Sequence, residues 1–172
     1  MCNEAVRILD EPNAGGNSVR SEAFAMDILS QLYKAKCIWT EMEIEYYYDN
    51  WKKCDFVTII GNENVGVSVT RVLPPVKMNP DDYDKYVAQL LYKKLHGLVV
   101  SRAGALNKAA FSRSMLFAWS PSRVVSRIIQ ATFDICVDET LKDDVELIIV
   151  EANEQDLRDD FPTSSQFTFL RT

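Results

Sequence analysis

Apolar and polar positions recur in steps of two along CDFVTIIGNENVGVSVTRV and in steps of three and four along SEAFAMDILSQLYKAK. The first pattern predicts a β-hairpin: Asp55 to Ile60, a turn at Gly61-Asn62-Glu63-Asn64, and a return strand from Val65 to Val72. Gly66, inside that return strand, marks a bulge or a close backbone approach. The second pattern predicts a helix from residue 18, with Phe24, Ala25, Ile28, Leu29 and Leu32 on its apolar face and Ser18 or Asn17 as its cap. Between the two, CIWTEMEIEYYY alternates Glu41, Glu43 and Glu45 with Met42, Ile44 and Tyr46, the period of a strand with one acidic face.

Beyond Pro74-Pro75 the period returns to that of a helix. Asn79 caps it, Pro80 fits its first turn, and Tyr83, Tyr86, Val87, Leu90, Leu91 and Leu95 form its apolar stripe. Gly97 is expected to end it, with LVVS following as a short buried strand that leads to Arg102. A second capped helix is expected from Ser120-Pro121, with Val124, Val125, Ile128 and Ile129 on one face. VELIIVEA reads as a strong strand and QFTFLRT as a last one. DEPNAGGN has loop composition, so residues 1–17 are expected to be an arm on a single domain spanning residues 1–172.

A chain of 172 residues, 47% hydrophobic and 26% charged, is long enough for one continuous core. It has no run of eighteen apolar residues and no leader pattern, so the expectation is an intracellular protein without a membrane span. Cys2, Cys37, Cys54 and Cys136 form no CxxC pair, and His96 is the one histidine, which leaves a zinc site short of ligands. Neither GxGxxG nor a Walker loop occurs.

Charge adds what the net value of -6 conceals. Residues 85–133 carry eight basic residues and no acid, while the flanks on both sides are acidic. A basic centre points to a phosphate-bearing partner, with Arg102, Lys108, Arg113, Arg123 and Arg127 as contacts. Pairing of these cations with the acidic flanks is the competing account. Lys93-Lys94 read as cations completing a helix end in preference to catalytic amines. Trp39, Trp51, Trp119 and the Tyr46-Tyr47-Tyr48 run suit either base stacking or ordinary packing.

The order helix, strand, strand, strand, helix, strand implies an α/β fold, a mixed sheet with helices on both faces. With Glu22 on the first helix and Asp55 heading the second strand, it resembles the PD-(D/E)XK, or restriction-endonuclease-like, superfamily over roughly residues 18–102. The resemblance implies a core of helix, three-strand meander, helix and strand. It also implies a cleft in which Asp55 and Glu22 hold Mg²⁺ or Mn²⁺ for phosphodiester cleavage.

The third strand departs from that pattern. The family's acid-x-Lys pair would fall at Ser68-x-Thr70 or at Val69-x-Arg71, with Arg71 in place of the lysine and no carboxylate in either. Glu22, Glu43 or Glu45 would therefore have to complete a shell around Asp55. Three readings follow: a nucleic-acid-binding domain with weakened or lost catalysis, an active metal-dependent nuclease with an atypical site, or a domain that assembles with a protein partner or a second copy through acidic stretches such as DETLKDD and EQDLRDDF.

Overall fold

The structure, a computed structural model, describes residues 1–11, 18–159, 161 and 167–170. In chain order the helices are α1 (Asn3–Asp10), α2 (Val19–Tyr33), α3 (Tyr83–Gly104), α4 (Arg123–Ala131), α5 (Glu139–Lys142) and α6 (Glu154–Arg158). The strands are β1 (Lys36–Thr40), β2 (Phe56–Ile60), β3 (Glu63–Arg71), β4 (Arg113–Ser120), β5 (Val145–Ala152) and β6 (Phe167–Leu170). They form one sheet in sequence order: β1, β2 and β3 are an antiparallel meander, β4 and β5 run parallel to β3, and β6 closes the far edge antiparallel. The expected core of helix, meander, helix and strand is present as α2-β1-β2-β3-α3-β4.

Alternation along the strands splits the interior into two layers. Val65, Val67 and Val69 of β3, with Met115, Phe117 and Trp119 of β4, pack beneath α1 and α2. Val57, Leu116, Ala118, Leu147 and Ile149 pack on the opposite face against Val87, Leu91, Leu95 and Leu98 of α3. Each such side chain contributes about 1.5–3 kcal/mol by leaving water, so both faces of the sheet are firmly covered. Where described, no helix is long and apolar enough to cross a membrane.

Several sequence expectations are corrected. Residues 3–10 are not an arm: they form α1, whose Ala5 and Ile8 are buried against α2. Residues 12–17, including Asn17, lie outside the described residues. β1 stops at Thr40, because its partner β2 begins at Phe56 and the ladder has no further partner to offer. The chain then makes a tight turn, with the Glu43 and Ile44 amides donating to the Thr40 carbonyl, so the alternation through Glu45 is not a strand.

α3 runs through Gly97 to Gly104, and LVVS is helix rather than strand. Leu95, Leu98, Ser101 and Gly104 continue its buried stripe, and the burial of that face outweighs the roughly 1 kcal/mol that a mid-helix glycine costs. The parallel strand is instead β4, whose buried run from Ser114 to Ser120 lacks alternation because both of its faces are covered. Its successor α4 is capped by Ser122, which accepts from the Val125 amide, and leaves Val124 exposed.

Candidate active site

Asp55 is the residue just before β2, and its amide donates to the Val67 carbonyl at 2.9 Å. That bond sets the carboxylate beside the outgoing end of β3, past the point where β1 and β2 stop covering it. Its Oδ2 accepts from the Val69 amide at 2.5 Å and from Ser68 Oγ at 3.1 Å. The preceding residue is anchored as firmly. The buried Cys54 amide donates to Ser101 Oγ and to Tyr46 OH, which hydrogen-bond each other at 2.9 Å. Burial pushes the Cys54 thiol up to about 11, so it acts as an inert packed group and not as a nucleophile.

Around Asp55 lies a narrow cleft lined by Ile8, Glu11, Glu22, Thr40, Glu41, Met42 and Asp55, with about 20 Å³ of open volume. That is room for one water-sized guest. Glu22 enters from the first turn of α2, where Ser18 Oγ donates to it at 2.6 Å instead of capping the helix backbone. Burial, and then the charge of Asp55, push the Glu22 carboxyl up to about 7, with Glu41 adding to the effect. Glu41 is raised for the same two reasons, while Lys53 and Lys94 pull it back. Three carboxylates thus line one opening, where burial and the charge of Asp55 raise the proton affinity of Glu22 and Glu41.

Sequence reasoning missed the cation. Lys94 does not complete a helix end, because α3 continues ten residues past it. Its Nζ donates to the Val69 carbonyl at 2.9 Å and reaches Ser68 Oγ at 3.5 Å. An ammonium from α3 is thus bound to the same two residues that hold Asp55. The available signal was its position: Lys94 follows Leu91 by three and precedes Leu98 by four, on the border of the buried stripe.

The other strand-one glutamates are spoken for. Glu43 pairs with Arg7 and accepts from the Thr40 amide, and Glu45 accepts from Asn107. Neither lines the cleft beside Asp55, whereas Glu41 does. Ser68 and Thr70 are buried on the α3 side of the sheet. Arg71, one residue on, shares the parity of Val69 on the opposite side, where its Nη1 donates to the Leu157 carbonyl of α6. The three positions therefore do not form one group: Ser68 serves the cleft, and Arg71 serves α6.

The basic block is divided as well. Arg102 donates to the Asp143 carbonyl and lies 3.7 Å from Asp144, and Arg113 pairs with Glu63 and Glu146 at the incoming end of β4. Arg123 faces Glu151 beyond the outgoing end of β4. Eight strand residues, about 26 Å of β4, separate Arg113 from the loop before Arg123. Lys108 and Arg127 are exposed, and neither has an ion pair among the described residues. Cys2 and Cys54 are free thiols, and the side chains of Cys37 and Cys136 lie outside those described.

Mg²⁺ and Mn²⁺ favour hard oxygen donors and keep several waters, needing only one or two protein carboxylates. The donor chemistry of Glu22, Glu41 and Asp55 fits such an ion, and their mutual repulsion is the kind of cost that a cation relieves. Among the described residues no three His, Cys, Asp or Glu side chains form a group that could hold a metal ion, so these carboxylates match the ion by donor type and not by a ready-made shell.

No protein-family model matches the sequence. The chain is 38% identical over 134 residues to the AAC-rich mRNA clone AAC4 protein of Dictyostelium discoideum, a match covering 75% of this chain. It spans 19% of that relative's length. Among solved structures, SfsA of Pyrococcus furiosus in complex with Ca²⁺ aligns with 92% of this chain and 73% of its own, at 13% identity and a TM-score of 0.39.

Proposed function

We propose that this chain is a nucleic-acid-directed domain whose cleft performs metal-assisted phosphodiester hydrolysis with an atypical residue set. The observation that carries the reading is the convergence of Lys94 with Asp55 on Ser68 and Val69, at the opening that Glu22 and Glu41 also line.

Glu22, Glu41 and Asp55 would hold Mg²⁺ or Mn²⁺, which supplies an activated water and charge relief for the leaving oxygen. The protein's part is orientation and charge. The Val69 amide and Ser68 hydroxyl fix the Asp55 carboxylate, and the Tyr46-Ser101-Cys54 knot fixes the backbone that presents it. Lys94 brings a positive charge to the phosphate side of the opening, where a pre-oriented cation needs no rearrangement as charge develops.

The test is cleavage of single-stranded and duplex DNA and RNA in Mg²⁺ or Mn²⁺ by wild type, Asp55→Ala and Lys94→Met. Cleavage lost in both variants, with folding intact, supports the reading; cleavage that survives Asp55→Ala sinks it. Binding without turnover is the second reading, favoured by the lack, among the described residues, of any three His, Cys, Asp or Glu side chains grouped to hold a metal ion. It expects nucleic-acid affinity that falls steeply with salt and no cleavage under any metal.

A further inference from the structure

α3 carries Lys94, which reaches the residues that hold Asp55, and its outer surface has a character the cleft does not explain. From Lys85 to its end it carries Lys85, Lys93, Lys94, His96 and Arg102 and no acid. Lys94 and Arg102 are held by the hydrogen bonds already described, whereas Lys85, Lys93 and His96 are exposed. Tyr92 is 58% exposed, and its ring lies parallel to that of His96 one turn on, at 6.5 Å between centroids.

One further turn along, the Val100 carbonyl accepts from Trp51 Nε1 at 2.6 Å, so the indole is fixed against the helix. Gly104 is required there, since a Cβ at that position would stand 2.0 Å from Trp51 Nε1. Tyr48, 64% exposed, stacks on Trp51 at 5.4 Å with its plane tilted by 25°. Two aromatic pairs therefore sit along about 18 Å of helix, the rise of the twelve residues from Tyr92 to Gly104. Lys85 and Lys93 flank one pair, and Lys52 and Lys53 follow the other in sequence; Asp49 is the acid in the Tyr47–Lys53 loop.

We infer that this flank of α3, with Tyr48 and Trp51, is a binding ledge for single-stranded nucleic acid that leads into the Asp55 cleft. Flat, exposed rings offer a face to unpaired bases, which a duplex hides within its own stack. The lysines offer charge to the phosphates between them, and the acid-free stretch of α3 is complementary to a polyanion. The path continues to the chemistry: Trp51 and Asp55 are four residues apart, at most about 14 Å of chain, and the charge of Lys53 is felt at Glu41. The inference rests on the proposed cleft for its direction, but the ledge's affinity stands apart from turnover.

The experiment is fluorescence anisotropy in EDTA, so that no cleavage intervenes, with labelled twelve-nucleotide oligo-dT, oligo-rU and a twelve-base-pair duplex. The expected result is single strands bound at least tenfold tighter than duplex. Tyr48→Ala/Tyr92→Ala should weaken oligo-dT or oligo-rU binding about tenfold to a hundredfold. Lys85→Gln/Lys93→Gln should flatten the slope of log affinity against log salt by about 1.4, two phosphates at 0.7 each. Lys36→Gln, which removes an exposed charge from β1, should stay within about twofold of wild type.

Duplex bound as well as single strand, or aromatic variants that bind like wild type, would overturn the ledge even if the protein cleaves. Tight, ring-dependent binding by a protein that cleaves nothing would keep the ledge and overturn the nuclease reading instead.

Discussion

Glu41 and Glu43 are two residues apart in the same turn, and although Thr40 and Glu11 border both, their partners differ. Glu43 belongs to a knot in which Arg7 binds both Glu43 and Glu11 and donates to the Ile38 carbonyl at 3.0 Å, while the Thr40 amide and hydroxyl take up remaining carboxylate oxygens. Glu41 belongs to the cleft, where its neighbours are Asp55 and Glu22, and its cations, Lys53 and Lys94, only partly offset them. The knot is acid satisfied by design of the fold; the cleft is acid left in conflict. Carboxylates gathered without full compensation cost stability, and such conflict concentrates where a site is kept for chemistry.

The largest effect that would sharpen this contrast is on turnover. Lys94→Met should reduce phosphodiester cleavage on the order of 10²- to 10³-fold, the cost of losing one pre-oriented electrostatic group. Glu43→Gln should leave the rate within about threefold. A rate that fell equally in both variants would erase the distinction between cleft and knot.

Stability supplies the next test. Glu22 is held up to about 7 against an ordinary 4.5, so between those values the folded chain binds a proton that the unfolded chain has released. Stability therefore falls as pH rises from 4.5 through 7. Glu22→Gln should accordingly raise urea-unfolding stability at pH 8, on the order of 3 kcal/mol at about 1.4 kcal/mol per pH unit, and bring almost no gain below pH 4.5. An equal gain at both pH values would place the effect in packing and not in charge.

A smaller change is expected in the knot. Arg7→Ala should cost about 1–2 kcal/mol, since it frees two carboxylates but does so at a half-exposed position. Smallest of all, Arg113→Ala should alter stability by less than about 0.5 kcal/mol, because its ion pairs with Glu63 and Glu146 are solvent-exposed.

How legible each element was depended on whether its residue types alternated: β3 is as buried as β4, but its valines alternate with Gly66, Ser68 and Thr70. β2 and β3 alternate, and α2 repeats at three and four, so both were readable within a residue or two. β4 was not, because its pattern is a solid apolar run. TEMEIE had the right period for a strand but nothing to pair with, since register is a property of the partner and not of the segment. Gly97 looked like a helix end because the sequence did not show that the next turns of α3 had a sheet to cover.

For the site, Asp55 and Glu22 could be named from their places at the head of a strand and the start of a helix, and the structure brings them to one cleft. The choice of Glu41 over Glu43 and Glu45 required knowing where β1 ended. Lys94 was hidden for a related reason: a lysine judged to lie at a helix terminus was in fact mid-helix, aimed at the carbonyl of a strand 25 residues earlier. Contacts at that separation are set by tertiary packing, which local periodicity does not encode.

The measurement that tests the central claim most directly is calorimetric titration of Mn²⁺ into wild type, Asp55→Ala and Glu43→Gln at pH 8, above the value of about 7 to which Glu22 is raised. Saturable binding in wild type and Glu43→Gln that vanishes in Asp55→Ala is the predicted result. No binding in wild type, or binding that persists without Asp55, would contradict the assignment of the cleft as a metal-assisted site.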